Sequence, residues 1–146
     1  MQCFSSKGQG PAYMIVLDRG ELLLEGIEEA VRQSGIENGL ITGGIGSLTR
    51  CNCHVIASTG IPPTNHDISA TGAIELASVQ GTVVNGEPHV HIIAWNYDTK
   101  ETYVGHLDPG SEVCYRAEIG IQAIEGQKIT RIYEDNGMIW IRPITE

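Results

Sequence analysis

From residue 39 almost to its end, this chain of 146 residues alternates apolar and polar side chains, and glycines break the alternation at short intervals. A period of two turns alternate side chains to one face, so a run of this length predicts a succession of strands. LITGGIGSLTRCNCHVIAS (40–58) predicts one long strand or two short ones, with a bulge at its glycines. AIELASVQGTVV (73–84), PHVHIIAWNY (88–97), TYVGHL (102–107), EVCYRAEIGIQAI (112–124), ITRIYE (129–134) and MIWIRPI (138–144) predict the others. Asp135-Asn136-Gly137 is a hairpin turn signal between the last two. TGIPPTNHDISATG (59–72) is polar and carries Pro62 and Pro63, so it predicts the principal loop.

Ahead of these lies a first strand, PAYMIVLD (11–18), and then a change of period. In RGELLLEGIEEAVRQSG (19–35), Leu23, Ile27, Ala30, Val31 and Ser34 recur at helical spacing, acids fall early and Gly35 offers a stop. The expected fold class is therefore α+β. It is a single domain over 1–146, mostly antiparallel sheet of about seven strands with one principal helix packed against it. Its core is expected over about 11–142, with 1–10 flexible.

Eighteen acidic against nine basic residues give a formal charge of −9, the reverse of a nucleic-acid surface, which needs a basic stripe to displace counterions. Direct nucleic-acid binding is thus not expected, nor is a membrane anchor, since the apolar runs are broken by Gly, His or Asp. MQCFSSKGQG lacks the apolar middle of a signal peptide, and Cys3, Cys51, Cys53 and Cys114 are most simply reduced thiols. A cytoplasmic location is expected.

The chemistry concentrates in GEPHVHIIAWNYDTKETYVGHLDPG (86–110). On a strand Val90, Ile92 and Ala94 share one face, leaving His89, His91 and Ile93 on the other. A symmetric hairpin turn at Asp98-Thr99 sets His91 opposite His106, and His89 opposite Asp108. Directly opposed residues hold their Cβ atoms about 4.5–5.5 Å apart, near enough for His89, His91 and His106 to converge on one ion. Three neutral imidazoles suit zinc, and also nickel, copper or iron(II). Glu87, Asp108 and Glu75 are the acids that could orient the rings. A one-residue slip of register would turn His106 away and leave the histidines as filler.

Other stretches offer less. A cupin glutamate is missing after His-x-His, where Trp95 and Asn96 stand, and no Gly-x-Ser-x-Gly, P-loop or dinucleotide fingerprint occurs. Cys51 and Cys53 share a face that His54 does not, so they predict buried packing and His54 predicts an ordinary sheet residue. Gly43, Gly44 and Gly46 precede no helix, so close packing explains them better than phosphate binding. His66 is expected to be solvated in the long loop.

Taken together, GEPHVHI, VGHLDPGSEV and AEI resemble the plants-and-prokaryotes-conserved (PPC) domain, with its Pro-His-x-His strand, Gly-His-Leu turn and downstream Ala-Glu. LDRGELLLEGIEEAVRQSGIENGLITGGIGSL and IELASVQGTVV are similar to its opening strand, helix and next strands, so the likeness spans about residues 11–133. The resemblance implies an α+β homotrimer with a metal, usually zinc, on His89, His91 and His106. Plant members place the domain after AT-hooks; this chain has no Arg-Gly-Arg-Pro core and its basic residues are scattered. Val104 also stands where the family has the first glycine of Gly-Gly-His-Leu.

The expected function is a metal-binding homotrimeric binding or regulatory module, DNA-associated only through partners and able to take a protein partner or small ligand. The alternatives are a zinc-dependent enzyme using a metal-bound water, and a direct DNA-binding protein. An acid within reach of the metal would favour the enzyme.

Overall fold

The computed structural model describes residues 1, 3–126 and 128–144, so the last two positions of the expected domain lie outside the described residues. The described residues form eight strands and one helix in the order β1 (Ser6–Asp18), α1 (Leu23–Ser34), β2 (Asn38–Ile56), β3 (Asn65–Val84), β4 (Glu87–Asn96), β5 (Thr102–Leu107), β6 (Glu112–Gly126), β7 (Ile129–Tyr133) and β8 (Ile139–Pro143). The first six strands met in space, β1-β6-β2-β3-β4-β5, form one antiparallel sheet, and β7-β8 is a separate hairpin. The α+β architecture with one helix is as the alternation predicts. None of the described residues forms a helix long and apolar enough to cross a membrane.

Two boundaries differ from the sequence expectation. β1 starts at Ser6 rather than Pro11, because its partner β6 runs on to Gly126 and pairs with the earlier residues. The polar stretch expected as a loop is mostly strand: β3 begins at Asn65, and His66 pairs with Val55 of β2. Its Ile68 and Ala70 pack against the core, so the alternating Asp67, Ser69 and Thr71 are the outer face of a half-buried strand. His66 is exposed, as expected, although it is not in a loop. LITGGIGSLTRCNCHVIAS is one strand whose register against β6 shifts on either side of Gly43–Gly46, where the glycines suggested a bulge.

The helix forms because Leu23, Leu24, Ile27 and Val31 fall on one stripe, which packs on β1, β4 and β6. It stops at Gly35, whose φ of 64° an L side chain adopts only with strain. Beneath it the inward residues of each strand, such as Leu48, Leu76, Val79, Val90, Ile92 and Ile119, make one core. Register is set by that burial. A slip of β4 by one residue would expose Val90 and Ile92, losing roughly 1.5–3 kcal/mol for each.

The β4–β5 turn adds a second constraint. Asn96 is fully buried, and its side-chain oxygen accepts from the backbone N–H groups of Asp98 (2.9 Å) and Thr99 (3.3 Å). Its amide donates to the Thr71 carbonyl at 3.1 Å, tying the turn to β3. Asn96 therefore fixes where the hairpin reverses and hence which residue of β5 meets His91. Replacing Asn96 with Ala removes three part-buried hydrogen bonds and is expected to cost about 1–3 kcal/mol of folding stability, read from urea unfolding. An unchanged midpoint would show that the turn does not hold the register.

Candidate metal centre

His89 and His91 project from the outer face of β4, while Val90, Ile92 and Ala94 are buried on the inner one. The hairpin pairs His91 with His106, as the symmetric turn requires. One ring nitrogen of each of the three histidines lies within 4.8 Å of the other two. His89 Nε2 and His91 Nε2 are 3.1 Å apart, with one donating its N–H to the other. Their rings are nearly parallel, at 6°, and the His106 ring stands at 87° to both. Two nitrogens on a tetrahedral zinc are about 3.3 Å apart, so the spacing of the first pair suits one ion. Among the described residues this is the one group of three such donors that converges.

The third histidine is placed by a crossing that the hairpin alone does not reveal. β5 pairs with β4 on one side and with β2 on the other, where Cys53 meets Leu107 and His54 meets His106. The approach needs Gly105: a Cβ there would collide with the carbonyl oxygen of His54. Because β5 leaves β4 after His106, Asp108 does not come to lie opposite His89. It bonds instead to His54, with Nδ1 donating to its two oxygens at 2.8 and 3.0 Å. The Asp108 turn is held by β2: the Asp108 N–H donates to the Asn52 carbonyl and the Asn52 amide to the Pro109 carbonyl. Fully buried Ser111 accepts from the Asn52 N–H at 2.9 Å.

His54, expected as an ordinary sheet residue, is therefore the residue that the sequence reading missed. Its ring centroid is 4.7 Å from that of His106. The signal was present in part, because buried Cys51 and Cys53 put His54 on the outer face with the other histidines. The long-range β2–β5 pairing was not legible. The three candidate acids separate. Glu75 lies opposite Trp95 in a different pocket with Tyr115 and Arg116. Glu87 accepts from Tyr133 Oη at 2.6 Å and pairs with Arg131 at 3.3 Å. Asp108 serves His54.

Burial holds the His106 imidazole far below the ordinary histidine range, at about 4, helped by His89 and His54 and opposed by Asp108. Burial also lowers His89, with His91 and Arg131 adding to the effect. Both rings are thus kept in the neutral form that ligates metals. They open, with His91 and His54, on a pocket of about 430 Å³ also lined by Val55, Ile56, Val104 and Gly105. The cysteines take no part. Cys51 and Cys53 are fully buried on the inner face, and burial pushes the Cys51 thiol up to about 12.

Residues 4–125 match the family model of the Plants and Prokaryotes Conserved (PCC) domain. The chain belongs to that family. A PPC protein from Pyrococcus horikoshii is 29% identical with a TM-score of 0.81, each chain covering 100% of the other. A metal-containing protein from Archaeoglobus fulgidus shares the fold at 23% identity and a TM-score of 0.77, over 94% of this chain and 95% of its own. So does a candidate DNA-binding protein from Bacteroides thetaiotaomicron, at 19% identity and 0.76, over 94% and 96%. No curated protein matches the chain in sequence.

The depressed imidazoles give the metal-free PPC domain a pH signature. An unfolded histidine takes up its proton near 6.5, whereas folded His106 does so at about 4. The unfolded state then binds more protons, so stability present above 6.5 falls as pH drops toward 4. Urea midpoints of the metal-free protein are expected to show this loss, and His106→Gln is expected to reduce its slope. An equal slope in the variant would remove His106 as its source.

Proposed function

We propose that this PPC-domain chain is a metal-binding, homotrimeric binding or regulatory module with one divalent transition metal on His89, His91 and His106 of each protomer, zinc in the first instance. The observation that carries the reading is the convergence of three imidazole donors within 4.8 Å. Neutral imidazoles without a carboxylate or thiolate among them favour zinc, nickel, copper or iron(II) over magnesium or calcium. The metal content named for the Archaeoglobus fulgidus relative points the same way. An ion held by these three histidines would supply a Lewis acid at the pocket wall.

A binding role is favoured over a zinc-dependent enzyme because none of the described residues lining the pocket is a carboxylate and the acids beside it, Asp108 and Glu87, are bonded to His54 and Tyr133. Assembly is supported by the outer sheet face, where Ile45, Ile93, Trp95 and Tyr115 are exposed, and by exposed Ile139, Trp140 and Ile141 on the β7–β8 hairpin. Covering such surface contributes about 25 cal/mol per Å². Association with DNA runs through partners in this reading. Four of the nine basic residues, Arg32, Arg50, Arg116 and Arg131, are each paired with a glutamate, and the net charge of −9 opposes phosphates further. The four free cysteines agree with a cytoplasmic setting.

The test is elemental analysis together with light scattering. The wild type is expected to carry one zinc per chain in a particle of about three times 15.8 kDa. Single alanine variants of His89, His91 and His106 are expected to lose most of the metal, and His66→Ala to keep it. Unchanged metal in all three sinks the metal assignment, and a single mass near 15.8 kDa sinks the trimer.

A further inference from the structure

The pocket in front of the three histidines has a second polar feature that metal ligation does not use. His54 lines it, yet stands outside the converging donor group. Its Nδ1 faces an acceptor-only carboxylate, so Nδ1 carries the proton and donates to Asp108. Among the described residues nothing hydrogen-bonds Nε2, which is left as an acceptor on a ring that lines the pocket. The arrangement is braced: Asp108 sits on a turn whose backbone and Ser111 are bonded to Asn52, two residues before His54. The rest of the wall is apolar, made by Val55, Ile56 and Val104. The site therefore joins a metal-ligating face, one oriented hydrogen-bond acceptor and a short greasy wall.

We propose that His54, set by Asp108, is a positioning residue for a small protic ligand. The ligand's donor atom meets the metal held by His89, His91 and His106, and its N–H or O–H donates to His54 Nε2. A short apolar chain on the ligand lies against Val55, Ile56 and Val104. This rests on the metal reading above and narrows it to a ligand class: small, with a metal-seeking protic head and an aliphatic body. An acceptor at that place discriminates against heads that have no hydrogen to give, because such a head would cover the lone pair without pairing it.

The experiment uses cobalt(II)-loaded protein, whose visible absorption reports both metal occupancy and a new ligand on the metal. Acetohydroxamic and hexanohydroxamic acids are the probes, since each keeps an N–H when it chelates. In the wild type the longer acid is expected to bind roughly tenfold tighter, the gain from burying one or two methylenes of its chain. His54→Ala is expected to keep one cobalt per chain while weakening both acids about tenfold. His54→Gln, which retains a side-chain carbonyl, is expected to recover part of that loss. Ile56→Ser is expected to shrink the chain-length preference severalfold.

Affinities within twofold of wild type in both His54 variants would overturn the proposal, as would cobalt lost from His54→Ala to the extent seen in His91→Ala. Equal binding of the two acids by the wild type would remove the apolar wall from it. A wild type that takes up no cobalt fails at the metal reading itself. A loaded wild type indifferent to His54 fails only here.

Discussion

β5 is paired on both sides, to β4 through His91 and to β2 through His54, and the outer face of the protein depends on that double pairing. It closes β2, β3, β4 and β5 into a ring, so side chains from three strands meet over a few ångströms. An open sheet would have left His54 remote from β4. The closeness is steric in origin, since any side chain at Gly105 would meet the β2 backbone.

What the ring brings together has a consistent electrostatic character. Imidazoles packed edge to face beside one another lose hydration and repel one another's charge, so His89 and His106 are held neutral. The acids that could restore their charge are diverted: Glu87 to Arg131 and Tyr133, Asp108 to His54. Neutral donors at short range are what a borderline-soft cation requires, and they are costly to maintain without one. Packing alone does not account for them, because the interior is complete on the opposite face of the same strands.

Much of this was legible in the sequence, and the parts that were not share a cause. Alternation in PHVHIIAWNY sorts His89 and His91 from Val90 and Ile92, and the polar break at Asp98-Thr99 gives the pairing of His91 with His106. These are local signals, spread over one hairpin. The departure of Asp108 from that hairpin and the arrival of His54 both follow from β2 pairing with β5, across about fifty residues, which no local pattern encodes. Composition misled once, in 59–72, where polar residues on the outer face of β3 concealed a strand. Gly44 and Gly46 of TGGIGS, by contrast, were readable as close packing because no helix pattern follows them, whereas a Cβ at Gly43 would meet open space.

The central claim is that three imidazoles, and no sulfur, gather at one point because β5 is pinned between β4 and β2. X-ray absorption at the zinc edge of the metal-loaded protein tests it most directly. The account predicts nitrogen scatterers at about 2.0–2.1 Å with the outer-shell pattern of three histidines and no sulfur near 2.3 Å. A sulfur shell, or a first shell of oxygens without imidazole, would contradict it.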